Sequence, residues 1–375
     1  MNKGTAVLRQ QNEKKALRLL RTAGSLSRQE MAERLGLSKN TVSVIVQKWI
    51  GSGIIREGAP EDAGGVGRPR IPLQLVPGCF QAVGLVVGMS SIRYTVTDYG
   101  SLVLEENRRS VQGLSPEDYI EELVALCREL LERYPNVIGI GVAVPALLDP
   151  LTGRVLSSSH LEWKNIPLKE RMDSQLPVPV LVLNNVKASA MAPVQATRLE
   201  SGKSSFYMRI GEGVGGAILL NGGLYYGESW TAGEVGHLCV DREGPRCSCG
   251  RKGCLEALVC IPRVLEQLGH EGREWSDALG DGTMVAEGRF NRTLAEAGGH
   301  VGFALSQVVN LLNPHSVTID SPYGRYPAFC DAVRKGFEDQ ALTVPASQTG
   351  FTFTHLPNAS GTGAAYAVIL EYEKE

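Results

Sequence analysis

A chain of 375 residues with 43% hydrophobic, 21% charged and 6% aromatic residues has the balance of a globular protein, with length for one to three domains. No run of about 18 apolar residues occurs, which excludes a membrane-spanning helix. Residues 1–20 scatter Lys3, Arg9, Glu13, Lys14 and Lys15 among apolar positions instead of forming a secretory leader, so the chain is expected in the cytoplasm. The net charge of −2 hides an asymmetry: residues 1–76 hold 13 Lys and Arg against 6 Asp and Glu, and the remainder holds 25 against 34. A basic head on an acidic body suits a nucleic-acid reader joined to a separate sensor.

Three helical patterns fill residues 5–52. The first runs through Leu8, Leu17 and Leu20 to a stop near Gly24. Ser27 precedes Glu30 by three, the spacing of a capping box, and predicts a short helix to about Arg34. Leu35-Gly36-Leu37 makes a tight turn, and Ser38 caps a third helix. There Val42, Ile45, Val46 and Trp49 fall at i, i+3, i+4 and i+7, one buried stripe. Lys39, Asn40, Ser43 and Gln47 then face outward, with Thr41 at the edge and Ser38 at the helix start. Such short polar and basic side chains donate to phosphates and base edges in a major groove, so the arrangement reads as a helix-turn-helix. Ile54–Arg56 and Ile71–Leu75 have strand composition and flank a Gly-rich stretch ending in Gly67-Arg68-Pro69-Arg70, which reads as a wing. Arg68 and Arg70 either touch DNA or only neutralise it. Residues 1–76 are thus expected to be a winged helix-turn-helix DNA-binding domain.

From residue 77 onward strands alternate with helices. Ala82–Val87, Tyr94–Thr97 and Leu102–Leu104 predict a three-strand meander, followed by a helix over Pro116–Arg133 and a buried strand over Val137–Val144. A strand at Val178–Leu183 leads into a helix to about Leu199, and Phe206–Ile210 pairs with Gly216–Leu220 around a glycine-rich turn. A long helix (Leu294–Leu312), a strand (Ser316–Ile319), a helix (Ala328–Gln340) and a last strand and helix complete an α/β body, 77–375, long enough for two lobes. No internal repeat is visible in the sequence.

The cysteines carry the sharpest chemical signal. Cys79, Cys127 and Cys330 are scattered, as small buried hydrophobes would be, but the spacing His237-x9-Cys247-x-Cys249-x4-Cys254 gathers one imidazole and three thiols. Soft nitrogen and sulfur donors in that number satisfy a tetrahedral zinc ion with no open position, a structural site. Gly250 and Gly253 let the loop close tightly, and Cys239 is an alternative ligand on an apolar, strand-like stretch.

These residues resemble the ROK family of repressors and sugar kinases. Gly233-Glu234-Val235-Gly236-His237, Cys247-Ser248-Cys249-Gly250 and Gly253-Cys254-Leu255-Glu256-Ala257 are similar to its zinc signature. Gly211–Ala217 and Asn221–Tyr225 resemble its glycine turn and hairpin, and Pro145–Pro150 with Gly153 also fit. The resemblance implies a two-lobed sugar-kinase/actin-like (ribonuclease H-like) body, with zinc on His237, Cys247, Cys249 and Cys254. It also implies sugar hydroxyls held by Glu234, His237 and Glu256, with Asn185 matching another ligand-binding position. Zinc would orient His237 and leave its other nitrogen for ligand.

Three departures bear on catalysis. The phosphate loop of the kinases, Asp-x-Gly-Gly-Thr, is replaced by Val86-Val87-Gly88-Met89-Ser90-Ser91. Their Asn-Asp pair is replaced by Asn185-Val186, and a valine takes no proton; losing a general base costs about a hundred- to ten-thousand-fold. Their late Gly-Gly is replaced by Ser321-Pro322-Tyr323, expected to obstruct adenine, and His160 stands where an Asn is common. No catalytic residue is therefore assigned. The expectation is a homodimeric or homotetrameric regulator of double-stranded operator DNA, a repressor or an activator, controlled by a sugar effector in a catalytically dead kinase-like body. The alternatives are an active ATP-dependent sugar kinase with an appended DNA-binding domain, and a ligand-independent DNA binder.

Overall fold

The computed structural model describes residues 3–61, 70–158, 160–197, 203–280 and 288–374. Helix α1 (Lys3–Ala23) is followed by α2 (Arg28–Leu35), whose capping box is formed: the Ser27 backbone N–H donates to Glu30 Oε2 at 2.8 Å, and the Glu30 N–H donates to Ser27 Oγ at 3.3 Å. Gly36 ends α2 in the left-handed conformation (φ 64°), and Ser38 Oγ accepts the Thr41 N–H at the start of α3 (Lys39–Gly51). Val42, Ile45, Val46 and Trp49 are buried, as their spacing requires. Strands β1 (Ile55–Glu57) and β2 (Leu73–Leu75) pair antiparallel, with Ile55 opposite Leu75. Leu73 also exchanges backbone hydrogen bonds with Leu26, which ties the wing to the turn before α2.

The next segment builds a five-stranded sheet. Its strands β3 (Gln81–Val87), β4 (Ser91–Asp98) and β5 (Val103–Ser110) form the antiparallel meander. Helix α4 (Pro116–Arg133), capped by Ser115 and opened by a proline, precedes β6 (Val137–Val144). A separate three-stranded sheet comprises β7 (Leu147–Asp149), β8 (Arg154–Ser158) and β9 (Trp163–Ile166), and α5 (Leu168–Asp173) follows. The chain returns through β10 (Val180–Asn184) into α6 (Asn185–Thr197). The large sheet has the order β10-β6-β3-β4-β5, with β10, β6 and β3 parallel. The exposed edge strand β5 carries Glu105, Glu106, Arg108 and Arg109, charges that discourage edge-to-edge pairing.

A second five-stranded sheet follows. Its meander is β11 (Ser205–Ile210), β12 (Val214–Leu220) and β13 (Gly223–Tyr225). Helices α7 (Glu256–Val259), α8 (Ile261–Leu268), α9 (Trp275–Gly280) and α10 (Gly288–Leu312) lead to β14 (Ser316–Asp320). Helices α11 (Pro327–Glu338) and α12 (Thr343–Gln348), strand β15 (Gly350–Thr354) and helix α13 (Ala359–Lys374) end the chain. The order β15-β14-β11-β12-β13, with β11, β14 and β15 parallel, repeats that of the first sheet strand for strand. Backbone contacts divide the chain into two units: Met1–Met191 with Ser360–Glu375, and Ala192–Ala359.

In the first unit α13 lies directly on the sheet. A Cβ on Gly84 would stand 1.9 Å from the Gly361 carbonyl oxygen, and one on Gly141 would stand 2.3 Å from that of Ala364. Only glycine permits that approach. The far end of α13 holds α1: Arg21 Nε and Nη2 donate to Glu373 Oε1 (2.7 Å) and Oε2 (2.9 Å), and the Tyr99 hydroxyl donates to Oε1 at 2.8 Å. The guanidinium lies 5.3 Å from the Tyr366 ring centroid and 5.8 Å from that of Tyr99. Both charges are out of water, the side chains being 7% and 2% exposed. Burial alone would lower the Arg21 pKa, but the hydrogen bonds and charge of Glu373 more than reverse this, so the guanidinium stays charged.

Removing one partner strands the other charge. Glu373→Ala should therefore cost roughly 3–5 kcal/mol in urea unfolding followed by tryptophan fluorescence. Arg21→Met combined with Glu373→Leu should cost clearly less. A single replacement as stable as the native chain would refute the coupling.

Candidate metal centre and DNA-reading helix

Between β13 and α7 the second unit has little regular structure, and its loops converge on four side chains. His237 Nδ1 stands 3.7 Å from Cys247 Sγ, and Cys249 Sγ stands 3.6 Å from Cys254 Sγ. One ligand atom from each of the four residues lies within 4.8 Å of all the others. A tetrahedral ion bound to one nitrogen and three sulfurs at about 2.0–2.3 Å separates its ligand atoms by about 3.6–3.8 Å, so this donor set fits such an ion. Burial and the neighbouring thiols push Cys254 up to about 12, whereas the Arg251 backbone N–H holds the exposed Cys249 low. Three thiolates this close would need a cation between them, which a bound metal would supply.

The loop geometry explains the spacing. Gly253 (φ 71°) donates its N–H to the Pro245 carbonyl and accepts the Val240 N–H, and a Cβ there would stand 1.5 Å from the Asp241 carbonyl oxygen. Cys239 forms an isolated backbone bridge with Cys254, is exposed, and lies in no strand. The expectation of an apolar strand there is corrected, because Leu238 and Cys239 are exposed outside any sheet, and the Cys239 sulfur is not among the clustered donors. Of the scattered cysteines, Cys127 is buried, while Cys79 and Cys330 are only half-buried.

Around the cluster, Glu234 precedes a short 3-10 turn (Val235–His237) that ends in His237. With Nδ1 turned to Cys247, the His237 Nε2 is the nitrogen left for another partner. Glu256 Oε2 accepts the Val214 N–H at 3.0 Å, and Oε1 faces Ser248 Oγ (3.5 Å) and Cys247 Sγ (3.8 Å). Glu256 therefore joins the glycine turn to the cysteine loop.

In the first unit Asn184 and Asn185 begin α6. The Asn184 Oδ1 accepts the N–H groups of Val186 and Lys187, and its Nδ2 donates to the Ala146 carbonyl. The Asn185 Oδ1 also accepts the Val186 N–H, at 2.9 Å. Val186 is half-buried and Lys187 is buried. The Gly88–Ser91 turn is closed by a backbone bond of 3.1 Å and by the Tyr119 hydroxyl donating to the Gly88 carbonyl, with Met89 exposed. His160 is exposed. Tyr323 is fully buried, its ring packed against Trp275 (5.0 Å) and Phe329 (5.4 Å).

On α3, Lys39, Asn40 and Gln47 are exposed, and Thr41 and Ser43 are half-buried. Ser38 is exposed, but its hydroxyl is engaged with Thr41 as the cap. The centre of the outward face also carries Val44, 54% exposed at i+4 from Asn40. An apolar residue among polar ones is passed over by a search for donors, yet it suits a thymine methyl. Arg70 exchanges backbone bonds with Glu61, and its guanidinium pairs with Glu30 at 3.0 Å and Glu61 at 3.5 Å. Arg68 lies outside the described residues.

A model of the ROK family matches residues 82–371, and one for winged helix-turn-helix DNA-binding domains matches residues 9–56. The xylose repressor of Bacillus subtilis strain 168 is 27% identical over 363 residues, covering 94% of this chain and 92% of that protein. The DNA-binding transcriptional dual regulator NagC of Escherichia coli K12 is 27% identical over 328 residues, covering 84% and 80%. A solved ROK family transcriptional regulator, homolog of the E. coli MLC protein, has a similar fold, with TM-score 0.83 at 21% identity over 98% of this chain and 97% of that one. A ROK family glucokinase from Streptomyces griseus, in complex with glucose and AMPPNP, has TM-score 0.64 at 19% identity over 76% and 98%.

Gly253→Ala meets both the positive φ and the Asp241 carbonyl. It should destabilise the second unit by more than about 2 kcal/mol and expose Cys247 and Cys254 to Ellman's reagent. Unchanged stability and thiol reactivity would mean that the loop is not held as described.

Proposed function

The chain belongs to the ROK family, and on that premise we propose that it is a transcriptional repressor whose hold on operator DNA is set by a sugar or sugar derivative. Val186 at the start of α6 carries the reading: where the kinases place the proton-accepting acid, this chain offers a valine, while its head is a DNA reader. The fold is kept for ligand binding and conformational response, and the protein is a regulator rather than an enzyme. The sugar class follows from the paired carboxylates, which accept hydroxyl hydrogen bonds.

Asn40, Val44 and Gln47 are assigned to base edges, and Ser38, Lys39, Thr41 and Ser43 to phosphates and the groove rim. Arg70, paired with Glu30 and Glu61, is assigned to bracing the wing. In the second unit, zinc on His237, Cys247, Cys249 and Cys254 is structural, and His237 Nε2, Glu234 and Glu256 are assigned to the sugar. Zinc when bound supplies the positive charge that three thiolates require. A homodimer, alone or paired into a tetramer, places two heads about 34 Å apart on a palindromic site in the cytoplasm. The effector acts by binding one arrangement of the heads better than the other.

The test is fluorescence anisotropy of the full chain on DNA from upstream of its own gene, with a panel of sugars and sugar phosphates. Salt-sensitive, sequence-selective binding weakened by one sugar is expected; sugar-dependent ATP hydrolysis would instead establish the kinase. Asn40→Ala and Gln47→Ala should each weaken operator binding about tenfold to a hundredfold while leaving non-specific binding nearly unchanged. Equal losses on both DNAs would move these residues to the backbone. Cys249→Ser should release zinc, measured by a chromogenic chelator, and lower the melting temperature. A mutant as stable as the native chain and free of metal would refute the structural zinc.

A further inference from the structure

Within the first unit a cavity of about 560 Å³ opens where α1, α3 and α13 meet, and none of its residues belongs to the metal or sugar set. That volume lies in the range of small-molecule sites, roughly 300–1,000 Å³. Its apolar wall is aromatic: Trp49 from α3, Phe80 from the segment before β3 and Tyr372 from α13. The Phe80 and Tyr372 rings stand 5.5 Å apart and line the same cavity.

Its charges do not balance. Arg9, Lys14 and Lys48 line it against the single carboxylate of Glu13. Glu13 is already bound on both oxygens, by Arg9 Nε at 3.2 Å and by Lys48 Nζ at 2.6 Å. The Lys14 ammonium stands 5.1 Å from the Tyr372 ring centroid. Three cations and one anion leave a net positive wall beside aromatic faces, and such a wall complements a negative ligand with a flat apolar body.

We propose that this cavity is a second effector site, for a small organic anion with an aromatic or similarly flat body, such as an aryl carboxylate or sulfonate. Its ligand would touch three elements at once. Lys48 and Trp49 belong to the DNA-reading helix, Glu13 and Lys14 to the first helix, and Tyr372 precedes the Glu373 that holds Arg21. Occupancy bears on the joint between reader and body, and acts on DNA binding by favouring one setting of that joint. Lys48 is drawn to Glu13 and away from the outward face centred on Asn40, Val44 and Gln47, so its charge is placed for the cavity.

Isothermal titration of the full chain with 1-naphthalenesulfonate tests the site. Saturable binding of one molecule per chain is expected, weakened at least tenfold in Lys14→Glu and in Lys14→Gln. Lys335→Glu, on the exposed side of α11 in the other unit, should bind as the native chain does. Operator affinity should shift at least threefold on adding the probe to the native chain, and not in the Lys14 variants. Lys14→Gln keeps the test open should Lys14→Glu fail to fold. No saturable binding, several molecules per chain, or equal binding to the Lys14 variants would overturn the proposal. So would a Lys14 variant that changes self-association in sedimentation without probe, which would make a second copy the occupant. A Lys14 variant that loses DNA affinity while keeping the probe would assign these cations to phosphates and overturn it likewise.

Discussion

A buried ion pair at the end of the last helix sets how the DNA reader is carried. Arg21 and Glu373 are 352 residues apart, and each is costly to bury without the other. Their bidentate geometry fixes α1 against α13, and α13 is fixed in turn by Gly84 and Gly141, where its backbone lies on the sheet. The head is therefore joined to the body through a rigid helix, with a polar latch where a flexible linker would otherwise stand. A joint of this kind can transmit a change in the body to the recognition helix, because packed elements move between discrete arrangements and do not bend smoothly.

The cysteine loop depends on a different constraint. Residues 238–255 have few regular hydrogen bonds and no extensive core of their own, so their order rests on close turns and on the four convergent donors. Glu256 extends that order to β12 through the Val214 N–H, so the glycine turn, the 3-10 turn bearing Glu234 and His237, and the thiol cluster are mechanically one piece. A ligand bound by these carboxylates would be read by a rigid scaffold, as specificity requires.

The same scaffold explains how a kinase-like fold serves without catalysis. Val186 offers no proton acceptor, and the helix start is intact because Asn184 and Asn185 satisfy its first amides. Residues 88–91 form a short turn with Met89 outward, and Tyr323 lies in the core. Binding and shape change survive such losses because they depend on packing and charge, whereas chemistry depends on one placed proton acceptor.

Much of this was legible in the chain itself. The stripe Val42, Ile45, Val46 and Trp49, the capping box at Ser27, the helix Pro116–Arg133 and the strand Val137–Val144 all follow from local periodicity and caps, which act within a few residues. The His-Cys-Cys-Cys spacing was enough to name the donors, since their chemistry is independent of the fold around them. The three short strands β7, β8 and β9 left no periodic signal, being three to five residues long. The common strand order of the two sheets was equally hidden, because topology constrains which positions are buried and not which apolar residue fills them. Only the tertiary structure could pair Arg21 with Glu373, turn Arg70 onto Glu30 and Glu61, send Tyr323 inward and bring Lys48 to Glu13. Those outcomes turn on partners distant in sequence, and a side chain's role is decided by what burial and charge bring to it.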